Sequence, residues 1–442
     1  MIAVERVESD GALPRRTGVV VMGGGVAGIA TAMELRQRGV DVVVVEKGEI
    51  AAEQSGRNWG WVRQQGRDPR EIPLAKLAME KWRRMNATVE AETGYREAGI
   101  AYLSYTEKDL AWNARWHDRN AARFDLKTRL LSAAEAEALV PGGTRRPLGA
   151  LYTVDDGRAE PFIAVPAMAR HLRRAGGKIF TQCAARGIET SAGRVSAVVT
   201  EKGTIACDAA VLAAGAWSRR FLGNLGIRFP QLTVINTVGR SRPMAAGPDV
   251  TFLGGRFAAR KRLDGGYTIA HNLYSVASLI PDSFRLLFDF LPLMITDVRG
   301  VKLRLGKRFF DEARLARRWR LDEVSPFERV RILDPKPYPA LIHDAARHLA
   351  AQFPAFAGVE MAEIWAGAID VTPDAVPVFE ELPQQRGLFL ASGLSGHGFG
   401  IGPAVGQLMA ELVTGETPCV DVKPFRLARY FERPRPRPDG DI

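Results

Sequence analysis

Four residues near the N-terminus have types and spacing that suit one task, the grip on an adenine dinucleotide. In Met22-Gly-Gly-Gly-Val-Ala-Gly28, Gly23 permits a tight turn out of a strand and Gly25 lets the backbone approach a pyrophosphate. Gly28 lets the next helix pack closely on the sheet. The N-terminus of that helix, with Val26 and Ala27 in its first turn, then faces the phosphates. Glu46, followed by Lys47, stands 18 residues beyond Gly28. A carboxylate there accepts hydrogen bonds from both ribose hydroxyls and repels a 2′-phosphate.

Positioning these groups takes a strand, a glycine turn, a helix and a second strand, which residues 18–46 encode in that order. Two distant stretches repeat the strand-then-glycine punctuation, Ala209-Ala-Val-Leu-Ala-Ala-Gly-Ala-Trp-Ser218 and Gly387-Leu-Phe-Leu-Ala-Ser-Gly-Leu-Ser-Gly-His-Gly-Phe-Gly-Ile-Gly-Pro403. The expected fold is α/β, a discontinuous Rossmann-like domain built from 17–75, 161–225 and 361–430. Residues 76–160 and 226–360 form an α+β substrate domain with a large mixed or antiparallel sheet, 284–320 is a candidate insertion module, and 431–442 is a solvated, extended tail.

With 442 residues, 46% of them hydrophobic, the chain can bury a large core. Its three cysteines have neither a disulfide pattern nor metal-ligand spacing, so no metal centre is expected and a reducing, cytoplasmic setting is. The first 16 residues lack the apolar stretch of a secretory signal, and no apolar run reaches membrane-spanning length. The net charge of +11 is concentrated in 306–320 and in Arg433-Pro-Arg-Pro-Arg-Pro438, without any nucleic-acid-binding motif, so no nucleic-acid partner is expected. Residues 284–308 join an apolar, aromatic run to Lys302, Arg304, Lys307 and Arg308. Two readings are open: a helix buried against the substrate domain, or peripheral contact with the anionic inner membrane.

Together, the N-terminal fingerprint, the Ala213-Ala-Gly-Ala-Trp-Ser218 strand and the Gly393-Leu-Ser-Gly-His-Gly-Phe399 loop resemble the D-amino-acid oxidase superfamily of flavoproteins, which includes D-amino-acid dehydrogenase and sarcosine oxidase. Within it, residues 178–193, 198–203 and 325–328 are similar to L-amino-acid deaminases of the Proteus type, and 291–294 to their insertion module. The resemblance implies FAD. It places Ser55 and Arg57 at the phosphates, Ala185 at the adenine through its backbone, and Gly215 and Trp217 beside the dinucleotide. Gly393, Gly396, His397, Gly398 and Phe399, with the helix that follows, are placed at the flavin's pyrimidine edge, where negative charge accumulates on reduction. No cysteine lies near 365–370, the stretch expected to face the flavin, so attachment is expected to be non-covalent, a histidyl link staying open.

Arg63 aligns with the arginine that binds substrate carboxylate in sarcosine oxidase, a role its planar, two-donor guanidinium suits. The lysine that sarcosine oxidase carries after Gly-His-Gly-Phe is replaced here by Gly400, and the strand that supplies an arginine in the deaminase, 265–274 here, carries none. On that strand Tyr267 and His271 flank Ile269 at period two and share a face, where they can bond a carboxylate or amine if that face looks into the cavity. His397 is a candidate for handling a proton. The resemblance implies hydride transfer from the Cα–H of an α-amino acid, of the L series by the deaminase likeness, to flavin. The resulting imine hydrolyses to a 2-oxo acid and ammonia, with O2 or a quinone as electron acceptor. A secondary-amine or D-amino-acid dehydrogenase and a non-catalytic electron-transfer subunit stay open as alternatives.

Overall fold

The computed structural model describes residues 4–296 and 300–440; residues 297–299 of the 284–320 segment and 441–442 of the tail lie outside them. A six-stranded sheet runs in the order Val378–Glu381, Leu388–Ser392, Ala209–Leu212, Val19–Met22, Val42–Val45, Lys178–Phe180. All its pairs are parallel except the outermost one, between Val378–Glu381 and Leu388–Ser392. The two valine-rich strands Val19–Met22 and Val42–Val45 are buried along their whole length, as β-branched runs are in a parallel sheet covered on both faces. The glycine-bearing segments read from 18–46, 209–218 and 387–403 therefore meet in one sheet.

The helices Val26–Gln37 and Gly398–Thr414 cover one face of that sheet and lie against each other. Nine of the twelve residues in the first are buried, which explains why it is apolar nearly all round rather than along one stripe. A Cβ on Gly28 would stand 2.0 Å from the carbonyl oxygen of Gly23, so only glycine lets this helix sit so close to the strand's end. Gly23, at φ +120°, makes the turn that a side chain would resist.

The second large unit is a ten-stranded mixed sheet. Its path is Val301–Arg304, Ser275–Ser278, Leu232–Ser241, Tyr267–His271, Phe257–Lys261, Thr251–Gly254, Ile100–Ser104, Gly149–Thr153, Thr128–Ser132, and Met361–Val371 pairs along Leu232–Ser241. The helix Pro339–Gln352 packs its buried Ala345 and Leu349 onto Ile269, Tyr267 and Phe257. Met361–Val371 thus ties the large sheet to the helical turn Gln54–Arg57, because Trp365 donates its indole N–H to the Arg57 carbonyl at 3.1 Å.

No helix of the described residues is long and apolar enough to cross a membrane. The 284–308 region is not a buried helix: Phe284, Leu287, Phe288, Leu291, Met294, Leu303 and Leu305 are all exposed, Phe288 by 74%. Leu286 and Phe290 turn inward to pack with Val371, Leu293 lies partly buried beside them, and Asp289 is buried as well. The tail is exposed at most of its described positions, as expected, but it also makes specific contacts. Arg435 donates to the Phe288 carbonyl at 2.5 Å, and the Asp439 amide donates to Asp68 at 3.0 Å.

Candidate active site

One cavity of about 1350 Å3 lies where the two sheets meet, and most of the residues singled out in the sequence border it. At one end are Gly23, Gly25, Val26, Ala27, Glu46, Lys47, Ser55, Arg57, Ala185, Gly215 and Trp217. Gly396, His397, Gly398 and Phe399 border its middle, and Arg63 and His271 the far part. Gly28 and Gly393 support the wall from behind. Gly393, at φ +77°, gives its amide to Asp370 at 2.8 Å.

The dinucleotide end is organised around two carboxylates. Glu46 accepts the Gly24 and Gly48 amides, each at 2.7 Å, and burial pushes its carboxyl above the usual range. Glu53 accepts from Lys47 Nζ at 2.6 Å, from the Trp217 indole at 3.1 Å and from the Leu333 amide at 2.9 Å. Lys47 and Trp217 are thus held to the protein through Glu53, a hub that no sequence motif marks. Ser55 Oγ accepts the Val26 amide at 2.9 Å and so fastens the helix N-terminus to the turn Gln54–Arg57.

The chain's donors and acceptors fit FAD in a specific respect: Arg57 and Asp370, both at this cavity, each carry a buried polar atom with no partner among the described residues. Arg57, whose Nε and Nη1 bond the Ala52 and Ala366 carbonyls at 2.7 and 3.0 Å, leaves Nη2 unmatched. Asp370 Oδ2 takes Gln231 at 2.9 Å and the Gly393 amide, while Oδ1 has nothing, and burial raises the carboxyl. Unmatched buried donors and acceptors are rare and costly, and a dinucleotide that carries both acceptor oxygens and hydroxyl or ring N–H donors meets both needs. The helix N-terminus at Val26 supplies the field for the pyrophosphate.

At the substrate end, Arg63 Nη1 donates to the Gln65 carbonyl at 2.7 Å and to the Tyr102 hydroxyl. Around it stand Trp61, Tyr102 and Trp112, with Trp59 edge-on to Trp61 at 5.5 Å between ring centres. The indole of Trp59 donates to Asn236 at 3.0 Å, so that ring is fixed. His397 lies fully inside, its Nδ1 2.9 Å from Glu71 Oε2, and its Nε2 is unmatched among the described residues. Burial, then the positive charge of Arg67, holds the imidazole below its ordinary pKa, so the neutral ring gives its Nδ1–H to Glu71. Glu71 is 326 residues from His397 and carries no spacing signal, so sequence reading missed it.

Two expectations on the strand Tyr267–His271 need correction. Tyr267 does not border the cavity: its hydroxyl donates to the Pro248 carbonyl at 2.7 Å and its ring meets Phe356 edge-on at 4.8 Å. His271 borders the cavity with both nitrogens engaged, Nε2 with Asp344 at 3.2 Å and Nδ1 with the Leu273 amide at 3.1 Å. The two residues do share the face with Ile269, but the helix Pro339–Gln352 covers that face. Gly400 is likewise structural, because a Cβ there would stand 3.3 Å from the Trp61 carbonyl oxygen and its own carbonyl accepts the Trp82 indole at 2.8 Å.

Comparison with known proteins agrees with this geometry. The family model described as FAD dependent oxidoreductase, DAO, matches residues 18–412. The L-amino acid deaminase from Proteus vulgaris superposes with a TM-score of 0.92 at 34% identity, covering 96% of this chain and 100% of that one. The deaminase from Proteus myxofaciens, solved in complex with anthranilate, gives 0.93 at 34% identity over 97% of each chain. Glycine oxidase from Geobacillus kaustophilus is 25% identical over 440 residues, 95% of this chain and 98% of that protein.

Proposed function

The chain belongs to the FAD-dependent oxidoreductase family and is an enzyme of amino-acid or amine oxidation, and on that premise we propose that it deaminates an α-amino acid, of the L series, to a 2-oxo acid and ammonia. The observation that carries this reading is Arg63 at the aromatic end of the cavity that also holds Glu46, Arg57 and Asp370. The likeness to both Proteus deaminases favours the L series over a glycine-type or N-methyl substrate.

Bound FAD, held non-covalently by Glu46, Ser55, Arg57 and the helix N-terminus at Val26, supplies the two-electron acceptor. The protein's own part is placement. Arg63 takes the substrate carboxylate with parallel N–H donors, and Tyr102 braces that guanidinium. Trp59, Trp61 and Trp112 enclose an apolar side chain and exclude water around the reacting Cα. His397, neutral and held by Glu71 through Nδ1, is a fixed part of the cavity wall, and the substrate reacts as its free amine. A water molecule then hydrolyses the imine to the oxo acid.

Anaerobic mixing of the FAD-loaded protein with L-amino acids, D-amino acids and N-methylglycine tests this. L-amino acids with apolar side chains are expected to bleach the flavin and release ammonia; bleaching confined to D-amino acids or N-methylglycine reassigns the substrate, and none with any amine removes the reading.

The exposed apolar surface at 284–310 favours one further partner, an anionic membrane from which a quinone accepts the electrons. Phe284, Phe288, Leu303, Leu305 and Phe310 project from it beside Lys302, Arg304 and Lys307. Sedimentation with anionic vesicles is expected to carry the protein down and to fail for Phe288→Glu/Leu305→Glu; equal binding of both forms rejects this surface.

A further inference from the structure

The C-terminal tail borders the cavity and is tied to two separate segments of the chain. Its first anchor is on the apolar helix Leu287–Thr296: Arg435 donates to the Phe288 carbonyl at 2.5 Å and stands 3.8 Å from Asp289. The opposite anchor is the turn that follows Arg63. There the Arg437 carbonyl accepts from Arg70 at 3.0 Å, and the Asp439 amide donates to Asp68 at 3.0 Å. Arg119 pairs with the Asp439 carboxylate at 3.1 Å. Pro438, between these anchors, and Gly440, just after the last of them, border the same cavity as Arg63 and His397. Gly440 lies so close to the chain that a Cβ on it would be 2.4 Å from the Asp68 amide nitrogen.

The sequence suits a strap. In Arg433-Pro-Arg-Pro-Arg-Pro438 the prolines fix φ at alternate residues, so the segment is extended before it docks and gives up little freedom on docking. At about 3.1 Å per residue, Arg435 to Gly440 spans roughly 15 Å, a distance that bridges a cavity mouth. Its anchors are of a kind that can yield. The Arg119–Asp439 pair is exposed on both sides, where such pairs contribute little, and Arg435, itself exposed, reaches the buried Asp289 only at 3.8 Å.

We propose that this tail is an autoinhibitory strap, laid across the Arg63 end of the cavity and displaced when a carboxylate substrate enters. The inference rests on the reading of Arg63 as the carboxylate site. A docked strap lowers the fraction of molecules open to ligand, and apparent affinity falls by that fraction. If about nine molecules in ten are closed, removing the strap strengthens binding roughly tenfold.

The test compares the full FAD-loaded chain with one ending at Glu432 and with Arg435→Glu/Asp439→Ala, using benzoate as a non-oxidisable carboxylate and its perturbation of flavin absorbance as the readout. The shortened chain is expected to bind benzoate about tenfold more tightly, the double variant to lie between, and a synthetic peptide of residues 431–442 to compete with benzoate for the shortened chain. Unchanged or weaker affinity in both altered forms overturns the strap, as does a peptide that binds without competing. Should the shortened chain release its flavin, the double variant and the peptide added to the full chain decide the matter by the same criteria. Tighter benzoate binding with no bleaching by any amine keeps the strap and removes the deaminase reading, so the two fail separately.

Discussion

Arg63→Ala is expected to lower kcat/KM by roughly 30- to 1000-fold, corresponding to about 2–4 kcal/mol for removal of a charge-assisted bidentate hydrogen bond from a partly enclosed site. Most of the effect should fall on KM, because the guanidinium holds the carboxylate in ground state and transition state alike. The flavin should stay bound, since Glu46, Ser55 and Arg57 occupy the other end of the cavity. Arg63 also donates to the Tyr102 hydroxyl and the Gln65 carbonyl, so alanine loosens that corner as well. Arg63→Lys separates the two effects: it keeps the charge but offers a point rather than a fork, and should restore only part of the affinity. Steady-state kinetics with an L-amino acid, together with flavin content from absorbance, check both. Wild-type KM in Arg63→Ala moves the carboxylate site elsewhere in the cavity.

What could be read from the sequence is unevenly distributed, and the reason is range. Gly23, Gly25, Gly28 and Glu46 lie within one βαβ unit, and local spacing sufficed to bring Gly23, Gly25 and Glu46 to the cavity with Gly28 behind its wall. The joining of 209–218 and 387–403 to that sheet needed only that each be a strand followed by a glycine loop. Side chains whose role depends on a partner far along the chain were illegible. Glu71 meets His397 across 326 residues, and Glu53 collects Lys47, Trp217 and Leu333 from three segments. Tyr267 misled for the complementary reason. Period-two alternation says which residues share a face, but what covers that face is decided by a helix some 70 residues later, Pro339–Gln352.

The glycines after His397 show the same limit more sharply, and they yield the second large expected effect. Read in sequence, the run to Gly402 serves close approach of backbone to flavin, and Gly396 and Gly398 do border the cavity. Gly402 and Gly406 face the other way. A Cβ on Gly402 would meet Val26 Cγ2 at 2.4 Å, and one on Gly406 would lie 2.5 Å from the Ala30 carbonyl carbon and 2.6 Å from its oxygen. Flexible side chains can move away at such a distance; a helix backbone cannot. Gly406→Val therefore forces apart the two helices whose N-termini border the cavity, at a cost of about 3 kcal/mol. The displacement acts on the phosphate-facing turn at Val26 as well as on packing, so flavin retention should fall together with melting temperature. Gly223→Ala provides the contrast. Its Cβ meets nothing within 4 Å, and alanine favours the helix Ser218–Asn224, so that variant should melt no lower than the parent. Thermal melts followed by flavin fluorescence distinguish the two, and a Gly406→Val protein that keeps its flavin to the parental temperature would show that the helices can separate without disturbing the site.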